Sequence, residues 1–342
     1  MLGGCIIPGA NDPASAGADG AETVKLERLR VAPSGLPLLA TTGAVPKPHG
    51  VAGNLTVLDW AGFKGAVTYT FDDANGSQLA HYDALNALGV PLTFFPITSK
   101  PEAADPVWAR AVKDGHELGN HSRSHAQAGT GADLDAASDF LKQKFGVTAW
   151  TMAAPFGNGS YEELAKTRFL LDRGVSNGLV GPNDDTDPFW LPCYVPPAGA
   201  GTAAFDEQID SARRAGKWRI VLVHGFTGGS DGAYHPVALG AFTASVRHAR
   251  ALGDLWIDSL VNVGAYWRGQ KLLSAVVPTK VPTKAGDVQT WSWTLPPHFP
   301  PGRFLRVTVD GGTLTQNGQP VAWSEQGFYE IALDAGALTS SP

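Results

Sequence analysis

Two histidines and a pair of aspartates have the residue types and the spacing of a metal site. His121 and His125 are four positions apart, and residues at i and i+4 lie on the same side of one helical turn. Asp72 and Asp73 end an apolar run earlier in the chain. Two imidazoles and one carboxylate can bind one ion and leave a coordination position for water or substrate, as hydrolytic metal sites require. The pattern predicts a metal-dependent hydrolase in which the second carboxylate is free for proton transfer.

The composition is typical of a globular, loop-rich protein and gives no sign of a nucleic-acid partner. The chain has 342 residues, of which 43% are hydrophobic and 17% are charged, and its formal net charge is -6. This length allows one large domain and a small one. The negative charge gives no reason to expect binding to nucleic acid. Packing in the core and at strand edges is the expected role of the ten Trp residues, and the alternative is that one or two of them stack on sugar rings.

The two cysteines exclude a disulfide framework, and one of them indicates export. Cys193 is expected to be a packed thiol. Residues 2–5 (Leu-Gly-Gly-Cys) are similar to a bacterial lipobox, in which the Cys carries the lipid. We therefore expect an exported protein, periplasmic or extracellular, with a lipid anchor at Cys5. No apolar run reaches the ~20 residues that a transmembrane helix needs.

The region between residues 51 and 267 alternates apolar strands with amphipathic helices. Strands are predicted at residues 66–71, 91–97, 220–223 and 255–257, and helices at residues 77–88, 106–113 and 236–252. Repeated βα units indicate an α/β fold with a parallel sheet, either open or closed into a barrel. Asp72 and His224 each follow a strand, which is where the active sites of βα barrels are built.

A change of composition near residue 274 predicts three segments. Residues 1–50 are expected to form a tether and a lead-in loop, and residues 51–270 the α/β domain. Residues 274–342 contain short strands separated by Pro, Gly, Asn and Asp, which predicts a small β module. Trp291, Trp293 and Trp323 are candidate platforms for carbohydrate. Packing of the module against the α/β domain is the alternative.

Four short motifs occur in the order known from one enzyme family. They are residues 70–73 (Thr-Phe-Asp-Asp), 121–125 (His-Ser-Arg-Ser-His), 154–157 (Ala-Pro-Phe-Gly) and 222–224 (Leu-Val-His). Together they resemble the motifs of NodB-type polysaccharide deacetylases, which form carbohydrate esterase family four. The resemblance spans about residues 60–267 and implies a distorted (β/α) barrel.

This resemblance implies a role for each of five residues. Asp73, His121 and His125 would hold a metal ion that lowers the pKa of a bound water molecule and polarises the acetyl carbonyl. Asp72 would be the general base, because the cation holds one of the two adjacent carboxylates and leaves the other free. His224 would protonate the leaving nitrogen, a task that suits an imidazole near neutral pH.

The resemblance also implies contacts with the substrate. The backbone N–H of Phe156, in the motif that contains Pro155, would complete an oxyanion hole beside the metal. Leu222 would line the pocket for the acetyl methyl group. Trp190 is a candidate for stacking on a sugar ring, and Asp187 is a candidate for orienting the catalytic acid.

The chain departs from the family pattern at Ala153. The family has an Arg here that orients the catalytic Asp, and no neighbour of Ala153 in the sequence is cationic. We therefore expect Asp72 to lack a cation that favours its charged form. Arg123 is a candidate to replace the missing Arg or to contact an anionic substrate group, and a surface ion pair is the alternative.

The sequence as a whole predicts a metal-dependent deacetylase that removes N-acetyl or O-acetyl groups from a polysaccharide. N-acetylglucosamine units of chitin-like or cell-wall glycans are the expected substrate. An allantoinase-like hydrolase of cyclic amides and a non-catalytic glycan-binding protein on the same fold are the alternatives. Zn²⁺ suits the donor set, with Co²⁺, Ni²⁺ or Mn²⁺ as alternatives. We expect a monomer whose partner is an acetylated glycan.

Overall fold

A computed structural model describes residues 25–40 and 43–342. Cys5 and its lipobox therefore lie outside the described residues, as does much of the predicted tether. Within the part that is described, no helix is both long and apolar enough to cross a membrane. The chain forms an α/β part, with a parallel sheet, followed by two antiparallel sheets.

The strands of the α/β part are short, except for two long ones in its centre. They are β2 (Gly65–Asp72), β3 (Thr93–Phe95), β4 (Glu117–Leu118), β5 (Thr151–Ala153), β6 (Leu171–Arg173), β7 (Trp218–Val223) and β8 (Leu255–Ile257). The helices are α1 (Gly76–Ala80), α2 (Tyr82–Asn86), α3 (Val107–Lys113), α4 (Gly131–Phe145), α5 (Glu162–Lys166), α6 (Thr202–Ala215), α7 (Leu239–Leu252) and α8 (Leu260–Ser274). The segment 77–88, predicted as one helix, is two short helices separated at His81.

A parallel sheet closes into the distorted barrel that the sequence predicted. Strand β2 lies between β7 and β3, its first residues also pair with β8, and β3 pairs with β4. Strand β5 pairs with β6, and a bridge between Asn120 and Met152 joins this pair to the end of β4. Single bridges from Leu191 to β6 and from Tyr194 to β7 complete the circuit. The barrel is distorted because the segment 191–194 contributes these isolated bridges instead of a regular strand.

Strand β2 lies at the centre of the core, and its carboxyl end lies at the end of the barrel where the candidate site residues meet. All eight of its residues are buried, because strands and helices cover both of its faces. Since the strands are parallel, their carboxyl ends meet at one end of the barrel. The acidic pair follows β2, His121 follows β4 and His224 follows β7, so these side chains converge there.

Two antiparallel sheets form the C-terminal part, and one of them contains a strand from before the barrel. Their strands are β1 (Leu55–Val57), β9 (Thr279–Thr283), β10 (Gly286–Ser292), β11 (Phe304–Val309), β12 (Thr313–Gln316), β13 (Gln319–Pro320), β14 (Trp323–Ser324), β15 (Phe328–Ala332) and β16 (Ala337–Ser341). The sheet orders are β1-β11-β15-β14 and β13-β12-β16-β10-β9. Because β1 pairs with β11, the C-terminal part is connected to the chain on both sides of the barrel. The domain boundaries at residues 50 and 270–274 stay predictions.

The tryptophans of the C-terminal part pack inside the protein. Trp291 and Trp293 are buried, and the indole N–H of Trp293 donates to the carbonyl of Leu333. Trp323 is half-buried and donates to the carbonyl of Val45. Of the two alternatives for Trp291 and Trp293, the structure therefore favours packing over a surface platform for sugar.

Gly119 offers a test of the packing that positions the first histidine. A Cβ atom at this position would lie 2.2 Å from the buried ring of Phe95 and 2.9 Å from the hydroxyl of Thr151. Because the ring cannot move without displacing the core, we expect Gly119→Ala to lower the free energy of unfolding by about 1–3 kcal/mol.

The matched control is Gly240→Ala in α7, where a new Cβ would meet no atom within 4 Å. This change should be neutral or slightly stabilising, since Ala favours a helix over Gly. Denaturant unfolding measures both variants. Equal stability of the two would contradict the steric explanation.

Candidate metal centre

Three side chains converge on one point at the carboxyl end of the barrel. Asp73, His121 and His125 each offer a ligand atom, and these atoms lie within 4.8 Å of one another. The Nε2 atoms of His121 and His125 are 3.4 Å and 3.7 Å from the same oxygen, Oδ1 of Asp73. Two imidazole nitrogens and one carboxylate oxygen are a donor set of catalytic zinc sites. The three residues therefore fit a divalent transition-metal ion.

A non-helical turn brings the two histidines together, so the prediction that they lie on one helical turn is wrong. Ser122 and His125 have left-handed φ angles of 58° and 52°. The side chain of Asn120 accepts from the N–H of Ser122, and the hydroxyl of Ser122 accepts from the N–H of His125. This turn places the two imidazole rings 4.8 Å apart. The spacing of the histidines was informative, but a loop and not a helix produces their proximity.

A hydrogen bond orients His121, and burial keeps His125 neutral. The Nδ1 atom of His121 lies 2.7 Å from the carbonyl of Ala153, which leaves Nε2 directed at the acidic pair. Such a second partner orients a ligating imidazole. Burial, reinforced by the charge of His121, lowers the pKa of His125 to about 4, so His125 is neutral near pH 7 and can bind a metal.

Asp73 is held in its charged form. Burial by itself would raise its pKa, but a hydrogen bond and favourable charge interactions with His121, together with His224 and His125, lower that pKa well below its usual range. Asn75 lies beside it, with its amide nitrogen 3.4 Å from Oδ2. A carboxylate that stays ionised suits a cation ligand.

Asp72, the other aspartate of the acidic pair, pairs with a buried arginine that was not expected from the sequence. The Nη2 atom of Arg173 lies 2.5 Å and 2.6 Å from the two carboxylate oxygens of Asp72. Arg173 is completely buried, and Asp72 is 3% exposed. The expectation that Asp72 lacks a cation is therefore wrong. Arg173 ends β6 and is the register partner of Ala153 in β5, so the cation comes from the neighbouring strand.

Arg123 does not take this place. It is exposed, and its backbone N–H donates to the carboxylate of Asp133. The apolar run at residues 169–171 just before Arg173 could have been noticed in the sequence. The pairing of β6 with β5 could not, because it depends on the register of two short strands.

His224 lies on the same cavity and is held through its backbone. Its carbonyl accepts from the side-chain amides of Asn75 and Gln78, and Gln78 also donates to the carbonyl of Asp72. Burial lowers the pKa of His224, while both aspartates oppose the effect. These amide contacts fix the ends of β2 and β7 relative to each other.

Asp187 and Trp190, the two candidates from the segment 184–190, are not among the residues that line the cavity. The carboxylate of Asp187 accepts from the N–H of Phe189, and the structure gives it no hydrogen bond to the ring of His224 among the described residues. Trp190 packs against Gly174 and is not one of the residues that line the cavity. These contacts do not support Asp187 as the residue that orients the acid or Trp190 as a sugar platform, and both roles stay predictions.

One cavity of about 600 Å³ contains all of these chemical groups. It is lined by Asp72, Asp73, His121, His125, Ala154, Phe156, Gly157, Val175, Val195, Pro197, His224, Tyr234 and His235. Leu222 and Pro155 are buried and are absent from this lining, so Leu222 does not form the wall for an acetyl methyl group. The apolar wall comes instead from Val175, Val195 and Pro197, which sequence reasoning missed because they lie in loops.

Backbone strain is concentrated around this cavity. Ten described residues other than glycine have left-handed φ angles. Six of them line the cavity or adjoin a lining residue: Asp73, Ala74, Ser122, His125, Phe156 and His235. Such conformations are unfavourable by about 1–3 kcal/mol each and accumulate at functional sites, where the surrounding structure enforces them. The strain therefore marks the cavity as a functional site independently of its residue types.

Comparison with known proteins agrees with the motifs. Residues 62–170 match the family model of polysaccharide deacetylases. This region of the chain is therefore similar to polysaccharide deacetylases. The match includes both aspartates and both histidines of the metal centre, and it ends before Arg173 and His224.

A gellan lyase from Bacillus sp. is 32% identical to the chain over 149 residues, which is 41% of this chain and 6% of that relative. The chain thus spans a small part of the length of that protein.

Several solved structures are similar at low identity. A Mycobacterium smegmatis protein described as a polysaccharide deacetylase has 19% identity and a TM-score of 0.46, covering 68% of this chain and 96% of its own. The catalytic domain of a peptidoglycan N-acetylglucosamine deacetylase from Eubacterium rectale has 19% identity and a TM-score of 0.41, with coverages of 66% and 94%. A family 4 acetyl xylan esterase from Clostridium thermocellum, in complex with cobalt, has 17% identity and a TM-score of 0.39, with coverages of 58% and 89%. Because these TM-scores are below 0.5, the family assignment rests on the sequence match.

Removing Arg173 tests its role beside Asp72. Arg173→Ala leaves the buried carboxylate without a partner, so we expect a destabilisation of about 3–5 kcal/mol and a large loss of turnover. Because Ala153 is the register partner of Arg173, the double variant Ala153→Arg/Arg173→Ala should recover part of the lost stability and part of the lost turnover. Unfolding and acetate release measure the effects.

Arg123→Ala is the matched control, since it removes an exposed Arg near the same site. Its turnover and stability should stay close to those of the unchanged protein. A loss equal to that of Arg173→Ala would show that the wrong arginine had been chosen.

Proposed function

We propose that this protein is a metal-dependent hydrolase that removes acetyl groups from a glycan. The observation that carries the proposal is the presence, in one cavity, of three convergent metal donors, an Arg-paired aspartate and a histidine. A hydrolytic site needs a cation, a base and an acid around a shared space. The family match supports the polysaccharide as the substrate class.

Asp73, His121 and His125 would hold the ion. A divalent cation bound there would supply Lewis-acid polarisation of the acetyl carbonyl and would acidify water. Zn²⁺ suits two imidazoles and a carboxylate, and Co²⁺, Ni²⁺ and Mn²⁺ are alternatives.

Asp72 would accept the proton of the attacking water. Its pairing with Arg173, whose Nη2 lies 2.5 Å and 2.6 Å from the two carboxylate oxygens, keeps the carboxylate in one orientation. His224 would give a proton to the leaving nitrogen of an amide or the leaving oxygen of an ester. The products are acetate and a free amine or hydroxyl group.

The substrate proposed is a glycan with N-acetylglucosamine units, and O-acetylated xylan is the second candidate within the same chemistry. The presence of both Asp72 and His224 on the cavity speaks for catalysis over a purely glycan-binding role. We also propose that the protein acts as a monomer outside the cytoplasm, with a lipid anchor at Cys5.

Removal of the metal tests the centre directly. Chelation should abolish acetate release, and added Zn²⁺ or Co²⁺ should restore it, because the carbonyl would otherwise lack its Lewis acid. His121→Ala and His125→Ala should each lose the bound ion, as measured by elemental analysis. Full activity of the stripped protein would refute the mechanism.

The two aspartates are expected to differ in what their replacement removes. Asp72→Asn should retain the metal but lose turnover by ~10²–10⁴-fold, because the proton acceptor is missing. It should also lower stability, because the buried Arg173 loses its charged partner. Asp73→Asn should weaken metal binding itself. Metal content and acetate release, measured together, separate the two. Equal loss of metal in both variants would contradict this division of roles.

A further inference from the structure

Two exposed aromatic side chains border the proposed catalytic cavity. Phe156 is 52% exposed and Tyr234 is 57% exposed, and no other Phe, Trp or Tyr in the described parts of the chain is as exposed. Both line the cavity. Two exposed rings that border the same candidate cavity indicate a binding surface.

Each ring contacts a different part of the site. The ring of Phe156 lies 4.4 Å from that of His125, on the metal side. The ring of Tyr234 lies 5.3 Å from that of His224 in an edge-on arrangement. A substrate whose acetyl group reaches the metal and the acid would therefore pass beside both rings.

Tyr234 is fixed in place before any ligand binds. One of its faces is covered by the ring of His235, at 3.9 Å and an angle of 15° between the planes, and Tyr234 is still 57% exposed. His235 itself has a left-handed φ of 47°. This strained conformation holds the two rings in a stack at the edge of the cavity, where neither ring is needed for core packing.

The loop that carries this pair is anchored at several points. The carboxylate of Asp231 accepts from the N–H of Ser77 and from the N–H of Ala233. The hydroxyl of Ser77 accepts from the N–H of Phe226, and Val237 pairs with the start of the loop. Because these bonds order the loop in advance, a ligand that stacks on Tyr234 would not have to order it.

We propose that Tyr234, supported by His235, is the stacking platform for a pyranose ring next to the acetyl group that is removed. The face of a sugar ring carries C–H groups that pack on a flat aromatic ring, and the ring's hydroxyl groups stay in solvent at the open side of the cavity. This inference rests on the proposed glycan deacetylase function and assigns to it the residue that selects a sugar over a small acetyl ester.

The kinetic test compares a glycan with a small ester in the metal-loaded full chain. For tetra-N-acetylchitotetraose, Tyr234→Leu should raise KM by ~3- to 10-fold, the range expected for one aromatic stack. Tyr234→Phe, which keeps the flat ring, should retain most of the glycan binding that Tyr234→Leu loses. With 4-nitrophenyl acetate, which has no sugar ring, the effect of Tyr234→Leu should be smaller. Equal effects on both substrates, or equal behaviour of the Leu and Phe variants, would overturn the proposal.

His235→Gly separates binding from folding. Glycine adopts a left-handed φ without strain, so the melting temperature should not fall. The loss of the supporting ring should still raise KM for the glycan. A lower melting temperature with an unchanged KM would show that the stack serves stability only.

A binding measurement distinguishes failure of this inference from failure of the proposed function. Calorimetric titration of the Asp72→Asn protein with tetra-N-acetylchitotetraose should give binding that Tyr234→Leu weakens. If the unchanged protein releases no acetate but this binding is observed, the deacetylase proposal fails and the platform stands. If acetate is released but Tyr234→Leu leaves binding unchanged, the platform fails and the function stands.

Discussion

The buried ion pair between Asp72 and Arg173 is the contact on which the catalytic end of the barrel depends. Both charged groups are buried, so they must form an ion pair with each other. Either charge alone in that position would be strongly unfavourable. The pair connects the ends of β2 and β6, which lie in different parts of the circuit of strands. It therefore fixes the shape of the barrel mouth at the same time as it orients the proposed base.

A second buried arginine has a comparable role between the barrel and the C-terminal sheets. Arg306 of β11 is completely buried and pairs with Glu330, while its guanidinium also donates to the carbonyls of Ala61 and Pro37. Those two carbonyls belong to the chain before the barrel. One side chain thus connects three segments that are far apart in sequence, and β1 adds a strand pairing in the same region. The C-terminal part therefore packs closely on its neighbours and shares a continuous core with them.

The site combines rigid strands with strained loops. The strands determine where each loop begins, and the left-handed residues determine where each side chain is directed. Asp73, His125 and Phe156 all have such conformations, so two of the candidate metal ligands and the adjacent wall are held by backbone geometry as well as by packing. Because folding has already ordered these groups, substrate binding costs less conformational entropy.

The sequence by itself predicted the α/β class, the similarity to polysaccharide deacetylases and the residues of the candidate metal centre, because apolar periodicity and short motifs are local properties of the chain. It also predicted the β-rich C-terminal part from its turn residues. Tertiary structure decided the turn that joins His121 to His125, the partner of Asp72 and the wall of the cavity. The register of β5 and β6 supplies Arg173 where the motif has Ala153, and loops supply Val175 and Tyr234. These could not be read from the sequence, because each depends on segments distant along the chain that only the closed barrel brings together.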